Sequence, residues 1–171
     1  MTEINNTHFL YPAALVASKE PMLINTILGS CVAICLWDPI LKIGGMNHYM
    51  LPFWNGQGLA SPKYGNIATE KLVQKMVQFG SNHRNLIAKV FGGGEVIDVK
   101  HNSFNIGIRN IEIAFNSLNE FSIPVKAQSI GGNNGRKIQF NTLTGEVKMK
   151  FIARSDKAIP LPSIDIKPQK P

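Results

Sequence analysis

The chain has 171 residues, 44% of them hydrophobic and 17% charged, a composition that suits one globular core and excludes the fibrous and intrinsically disordered classes. Eighteen Lys and Arg against eleven Asp and Glu leave a net charge of +7, which favours an acidic partner surface without saying which one. Two cysteines make no disulfide framework, and no run reaches the ~18 uninterrupted apolar residues that a membrane-spanning helix needs.

In chain order, the apolar run Phe9 to Ala17 follows no Lys or Arg and is interrupted by Pro12, so it does not read as a signal peptide. Pro21 to Leu28 is apolar and extended until Gly29 breaks it. Cys31 to Trp37 follows as a second strand and Lys42 to Leu51 as a third, stopped by Pro52. Between them Asp38-Pro39-Ile40-Leu41 has β-turn chemistry, which predicts a hairpin. The loop Phe53 to Lys63 is rich in Gly and polar residues, a composition that often carries function. From Asn66 to Phe79, Ala68, Leu72, Val73, Met76 and Val77 recur at helical spacing before Gly80. Leu86 to Phe91 reads as a strand ending in Gly92-Gly93-Gly94, and Ile111, Ala114, Phe115 and Leu118 mark a second helix over about Gly107 to Phe121. Strands at Val125 to Ile130, Arg136 to Thr142 and Glu146 to Phe151 complete the order. In the last, Val147, Met149 and Phe151 alternate with Lys148 and Lys150. Prolines at 160, 162, 168 and 171 crowd the end of the chain. They predict a disordered tail over 155–171 behind a single domain over 1–154. The expected fold class is α/β (α+β): layered sheets, a hairpin near the N-terminus carrying a Cys/His pair, and two amphipathic helices packed on the sheet.

Both cysteines fall in the stretch GSCVAICL. On a strand, Cys31 and Cys35 would stand roughly 13 Å apart, beyond the ~7 Å between Cα atoms that a disulfide tolerates. Free thiols and a reducing, cytoplasmic setting follow. Cys35, among apolar neighbours, belongs to the core. Cys31 leaves the Gly29-Ser30 turn, where backbone N–H groups are free. With a two-residue hairpin loop, Asp38 pairs with Leu41 and Cys31 lies directly opposite His48, the Cβ atoms about 5 Å apart. A register shifted by two keeps both on one face, diagonally placed; a shift of one separates them. Pro39 argues against the two-residue loop, because such turns want positive φ at the position it occupies.

With thiol and imidazole on one face, the chemistry is that of a Cys/His hydrolase. His48 lowers the thiol pKa and the thiolate attacks a carbonyl carbon. N–H groups at the Gly29-Ser30-Cys31 bend hold the oxyanion, His48 protonates the leaving group, and water releases the acyl enzyme. A third group must orient the imidazole, and Thr26 or Asn25 in the adjoining strand are the nearest candidates.

Other motifs carry less. Gly92-Gly93-Gly94 is followed by no Gly-Lys-Ser/Thr and reads as a turn or a close backbone approach rather than a phosphate loop. His8, His48, His83 and His101 are scattered, so no metal or cofactor is implied; apart from His48 they read as surface residues. Arg136, Lys137, Lys148, Lys150 and Arg154 make the last hairpin basic without interleaved aromatics, which reads as a solvated sheet face and not as a nucleic-acid interface.

At these residues the sequence resembles the CheD family of bacterial chemotaxis proteins, the chemoreceptor glutamine deamidases. The resemblance rests on Thr26-Ile27-Leu28-Gly29-Ser30-Cys31-Val32-Ala33-Ile34-Cys35-Leu36-Trp37-Asp38-Pro39 and on His48 within Gly45-Met46-Asn47-His48-Tyr49-Met50-Leu51-Pro52. It extends to Lys63-Tyr64-Gly65, Gly92-Gly93, Asn105-Ile106-Gly107-Ile108-Arg109-Asn110, Gly131-Gly132 and Gly135-Arg136. It implies a layered fold similar to a deamidating toxin domain and a Cys, a His and a Thr at the site. Cys31 becomes the nucleophile and His48 the base, with Thr26 or Asn25 as the third residue. It also implies hydrolysis of receptor glutamines to glutamates with release of ammonia. The implied partners are the cytoplasmic domain of a methyl-accepting chemoreceptor, as substrate, and a CheC-type phosphatase, with no cofactor, no nucleic acid and no membrane insertion. The rival reading is a non-enzymatic adaptor that uses the same fold to bind receptor or phosphatase.

Overall fold

The computed structural model describes residues 3–96 and 105–153. The tail expected over 155–171 lies outside the described residues. The first half of the chain forms β1 (Thr7–Phe9), β2 (Ala14–Ser18), β3 (Leu23–Leu28), β4 (Val32–Asp38), β5 (Ile43–His48) and helix α1 (Gly65–Gln78). The second half forms β6 (Ile87–Gly92), α2 (Ile106–Glu120), β7 (Val125–Ile130), β8 (Gly135–Asn141) and β9 (Val147–Ile152). The strands make a four-stranded sheet in the order β1-β3-β8-β9 and a five-stranded sheet in the order β2-β5-β4-β6-β7.

Three layers result, because β4 and β5 are buried on both faces. Side chains alternate across a strand. Val32, Ile34 and Leu36 of β4 therefore meet one layer, formed with Leu72, Val73 and Met76 of α1 and Ala114 and Leu118 of α2. Ala33 and Cys35 meet the other, formed with Ile24 and Leu28 of β3 and Ile138 and Phe140 of β8. The helices cover one face of the five-stranded sheet and the four-stranded sheet covers its other face. The close approach of all three layers explains the two adjacent glycines of β5. A Cβ on Gly44 would sit 2.9 Å from the Phe140 ring, and one on Gly45 2.9 Å from the Leu72 side chain, both closer than packed atoms tolerate.

The helices obey the apolar spacing. In α1 the buried residues include Ala68, Leu72, Val73 and Met76, and the helix ends at Phe79, after which Gly80 takes φ +105°. Strands β3 to β9 fall within two residues of their expected places, except that β5 ends at His48, three residues before the expected Leu51. Two further features differ. The run Phe9 to Ala17 takes in the last residue of edge strand β1 and all but the last residue of edge strand β2. The loop of the β4–β5 hairpin has four residues, Pro39 to Lys42, since Asp38 pairs with Ile43. Proline cannot adopt the positive φ that a two-residue turn demands. Asp38 instead accepts hydrogen bonds from the N–H groups of Ile40 and Leu41 through Oδ1, and Lys42 turns the chain at φ +55°.

Candidate active site

The longer hairpin loop moves the register by two residues. Met46 pairs with Cys35, and Tyr49 bridges to Val32. His48 thus falls opposite Ala33, and Cys31, one residue before β4 begins, stands diagonal to it. The directly opposed pairing expected from a two-residue loop is not formed. The alternation nevertheless keeps both residues on the inter-sheet side, and Cys31 packs against the core of Ala33, Cys35 and Met46.

Thr26 reaches His48 from the four-stranded sheet. It shares a face with Ile24 and Leu28, points between the sheets and is fully buried. Its Oγ1 lies 2.8 Å from His48 Nδ1 and 2.7 Å from the Leu10 carbonyl oxygen. A hydroxyl has one proton to donate, and the carbonyl can only accept. The consistent assignment sends the Thr26 proton to Leu10 and the Nδ1 proton of His48 to Thr26 Oγ1. That leaves Nε2 as the ring's lone-pair nitrogen, and Nε2 is buried with no hydrogen-bond partner among the described residues. Asn25, the other candidate, points to the outer face of its sheet and accepts a hydrogen bond from Gln139.

The turn before Cys31 is held by its carbonyls. Gly94 N–H donates to Gly29 O at 2.9 Å and Gly93 N–H to Cys31 O at 2.9 Å. The Asn110 side-chain amide donates to Ser30 O at 3.0 Å. No oxygen among the described residues accepts a hydrogen bond from the N–H of Ser30 or of Cys31. In a trans peptide the N–H points away from the C=O, so fastening the Gly29 and Ser30 carbonyls turns the N–H groups of Ser30 and Cys31 away from those partners, while the Val32 N–H that follows the Cys31 carbonyl donates to Tyr49 O. The triple glycine is therefore a backbone clamp. A Cβ on Gly92, at φ +111°, would overlap the Cys31 carbonyl oxygen.

Burial dominates the electrostatics. It holds the His48 imidazole at about 4 against an ordinary 6.5, with the Leu10 carbonyl pulling weakly the other way. It pushes the Cys31 thiol above its ordinary value, opposed by the residue's own backbone N–H. The resting pair is a neutral thiol and a neutral imidazole. The expected depression of the thiol pKa is thus reversed at rest, because desolvation penalises both charged forms. Cys35, fully enclosed, is pushed up further still.

The remaining candidates divide cleanly. His8 and His83 are exposed, and His101 lies outside the described residues. No group of three or more His, Cys, Asp or Glu comes together among the described residues, and no helix there is long and apolar enough to cross a membrane. Lys137, Lys148 and Lys150 are solvated as expected. Arg136 is not: it is buried and donates to Ser129 Oγ and to the carbonyls of Gly131 and Asn134, bracing the loop between β7 and β8. Asn110 was not singled out by the sequence, although its signal was present. It lies on the buried stripe of α2 between Gly107 and Ala114, a polar residue where the helical period calls for an apolar one.

The chain is a layered α/β domain in which Cys31 follows a carbonyl-fastened turn and His48, hydrogen-bonded to Thr26, lies on the same face of the five-stranded sheet. Residues 50–151 match the family model described as CheD chemotactic sensory transduction; the match begins beyond His48. Over 140 residues the chain is 50% identical to a Trichlorobacter lovleyi protein named "Probable chemoreceptor glutamine deamidase CheD", covering 82% of this chain and 87% of that protein. A protein of the same name from Sulfurimonas denitrificans is 42% identical over 149 residues, 86% of this chain and 96% of that one. The crystal structure of Bacillus licheniformis hypothetical protein YfiH aligns at 11% identity and a TM-score of 0.42, covering 64% of this chain and 49% of that one. The chain belongs to the CheD family.

Proposed function

We propose that this protein hydrolyses the side-chain amides of specific glutamines in the cytoplasmic region of methyl-accepting chemoreceptors, giving glutamate and ammonia in the cytoplasm. The observation that carries this reading is the chain of contacts from the Leu10 carbonyl through Thr26 to His48, which leaves Nε2 buried, unprotonated and on the same side of the sheet as Cys31. The names of the relatives supply the substrate class.

The reaction needs two half-steps. As Cys31 Sγ attacks the carboxamide carbon, its proton passes to His48 Nε2, and the imidazolium is held through Nδ1 by Thr26. The developing oxyanion meets the outward N–H groups of Ser30 and Cys31, worth on the order of 10²–10³ in rate per donor. His48 then gives its proton to the departing nitrogen, so ammonia leaves and a thioester remains. In the second half-step Nε2 takes a proton from water, hydroxide adds to the thioester carbon, and Sγ leaves, recovering the proton as glutamate forms. Gly29 acts by presenting its carbonyl to Gly94, so the turn is open on the side from which substrate comes. A neutral resting pair suits a general-base mechanism, in which the thiolate exists only when its attack begins. We also propose that a CheC-type phosphatase is the regulatory partner, following the family resemblance.

The test is incubation of the full chain with the cytoplasmic helical region of a chemoreceptor, with mass-spectrometric mapping of amide-to-acid conversion and Cys31→Ala in parallel. Conversion at discrete glutamines that disappears in Cys31→Ala is the expected outcome. Binding without conversion would instead establish an adaptor.

A further inference from the structure

We infer that Asn110 is a positioning residue for this reaction: its side-chain amide sets the peptide plane before Cys31 and thereby aims the oxyanion-binding N–H group. The inference rests on the deamidase reading above. Asn110 is fully buried on α2. Its Nδ2 donates to two carbonyls from opposite sides of the site, Ser30 O and Met50 O, each at 3.0 Å. Both amide protons are thereby used. The flipped amide would turn an oxygen toward two carbonyl oxygens, so the hydrogen-bonding environment fixes the orientation.

The place of this clamp is what gives it consequence. Strand hydrogen bonding between β4 and β5 ends at the Val32–Tyr49 bridge, where each residue's N–H donates to the other's carbonyl. The next pair that an antiparallel ladder would join outward is Ser30 and Leu51, and there the pairing has ended: the N–H groups of Met50 and Leu51 both donate to the Lys63 carbonyl instead. Asn110 holds this fraying end from the helix side, grasping one residue before the nucleophile and two residues after His48. The hydroxyl of Tyr49 donates to the Asn110 carbonyl and ties the helix to the same point. The Ser30 carbonyl and the Cys31 N–H belong to one planar peptide unit and point in opposite directions. Fixing the carbonyl on Asn110 therefore fixes the N–H on its far side, where the oxyanion forms.

Removing the clamp should impair acyl transfer much more than thiol reactivity, because alkylation by iodoacetamide develops no oxyanion on the attacked carbon. Asn110→Ala is expected to lower kcat for ammonia release from the receptor region by roughly 10²-fold, the cost of misaiming one oxyanion donor. KM should stay within about twofold and the alkylation rate of Cys31 within about threefold. Asn110→Asp keeps the volume but, when ionised, has no proton to donate. Its kcat relative to wild type should be lowest at neutral pH and rise as the pH falls, when a protonated carboxyl regains one donor. Asn116→Ala, at an exposed position of the same helix, should behave as wild type.

Asn110→Ala with kcat within threefold of wild type would overturn the proposal. So would parallel losses of kcat and alkylation, which would make Asn110 a general support of the fold. Absence of Cys31-dependent ammonia release from the wild type is a separate result. It would sink the deamidase reading and this inference with it.

Discussion

Strand β4 lends its two faces to layers of different character. Toward the helices, Val32, Ile34 and Leu36 meet Leu72, Met76 and Leu118, and the layer is filled by large aliphatic side chains with no exposure. Toward the second sheet, Ala33 and Cys35 meet Ile24, Leu28 and Phe140, but the same layer holds buried Thr26 and His48 and reaches the surface at Cys31. The helix layer derives its stability from volume. The inter-sheet layer carries a polar chain that ends on a backbone carbonyl at one side and, at the other, on an Nε2 without a partner among the described residues. An unsatisfied buried nitrogen costs stability, and its retention is what a base waiting for a substrate proton would require. One strand thus sets large aliphatic packing on one face and the thiol, imidazole and hydroxyl on the other, while Asn110 reaches the same site from the helix side.

The largest expected effect tests that separation. Leu72→Ala should remove about 2–5 kcal/mol of stability, from lost burial and the cavity left in a close-packed layer. The rate of glutamine hydrolysis per folded molecule should not change. Urea unfolding read beside kcat at a temperature where the variant is fully folded makes the comparison. A kcat that falls with the stability would show that the two layers act as one.

The helices were readable in the sequence because their apolar residues recur every three or four positions, a signal that survives without knowledge of the partner layer. The edge strands β1 and β2 were not readable. β1 has three residues, all exposed, and β2 is half-buried at every position with no alternation to betray it. The choice between Thr26 and Asn25 was equally closed. The segment Leu23-Ile24-Asn25-Thr26-Ile27-Leu28 has apolar residues of both parities, so only its packing on β8 reveals that Thr26 faces inward. Pro39 was the informative residue of the hairpin. It argued against the short loop, and the two-residue shift that follows keeps Cys31 and His48 on one face. Asn110 required tertiary structure, since its partners lie 60 and 80 residues away.

The next effect sharpens the contrast through pH. His48 is held at about 4 in the folded protein by burial, against an ordinary 6.5. The folded state resists the proton that the unfolded state accepts, so this contribution to stability is fully present above pH 6.5 and is lost as the pH falls through about 4. A displacement of that size is worth about 3 kcal/mol. Wild type should therefore lose about that much more stability between pH 7 and pH 4 than His48→Gln, with carboxylate protonation common to both. Equal losses in the two proteins would place His48 in a more solvated setting than the inter-sheet layer provides.

The smallest effect concerns the hydroxyl that joins the polar chain to the backbone. Thr26→Val preserves shape and removes the oxygen that accepts the Nδ1 proton of His48 and donates to Leu10. The imidazole can then place its proton on either nitrogen, and the tautomer with Nε2 protonated cannot take a proton from Cys31. A loss of about tenfold to a hundredfold in kcat is expected, within the range that general-base positioning supplies. KM should be unchanged, because Thr26 lies between the sheets and is not exposed to substrate. Thr26→Ser restores an oxygen at the same position and should recover most of the rate, which a requirement for the γ-methyl group alone would not allow. If Val and Ser variants lose activity equally, the tautomer is set by something other than this hydroxyl, and the inter-sheet layer holds His48 by packing alone.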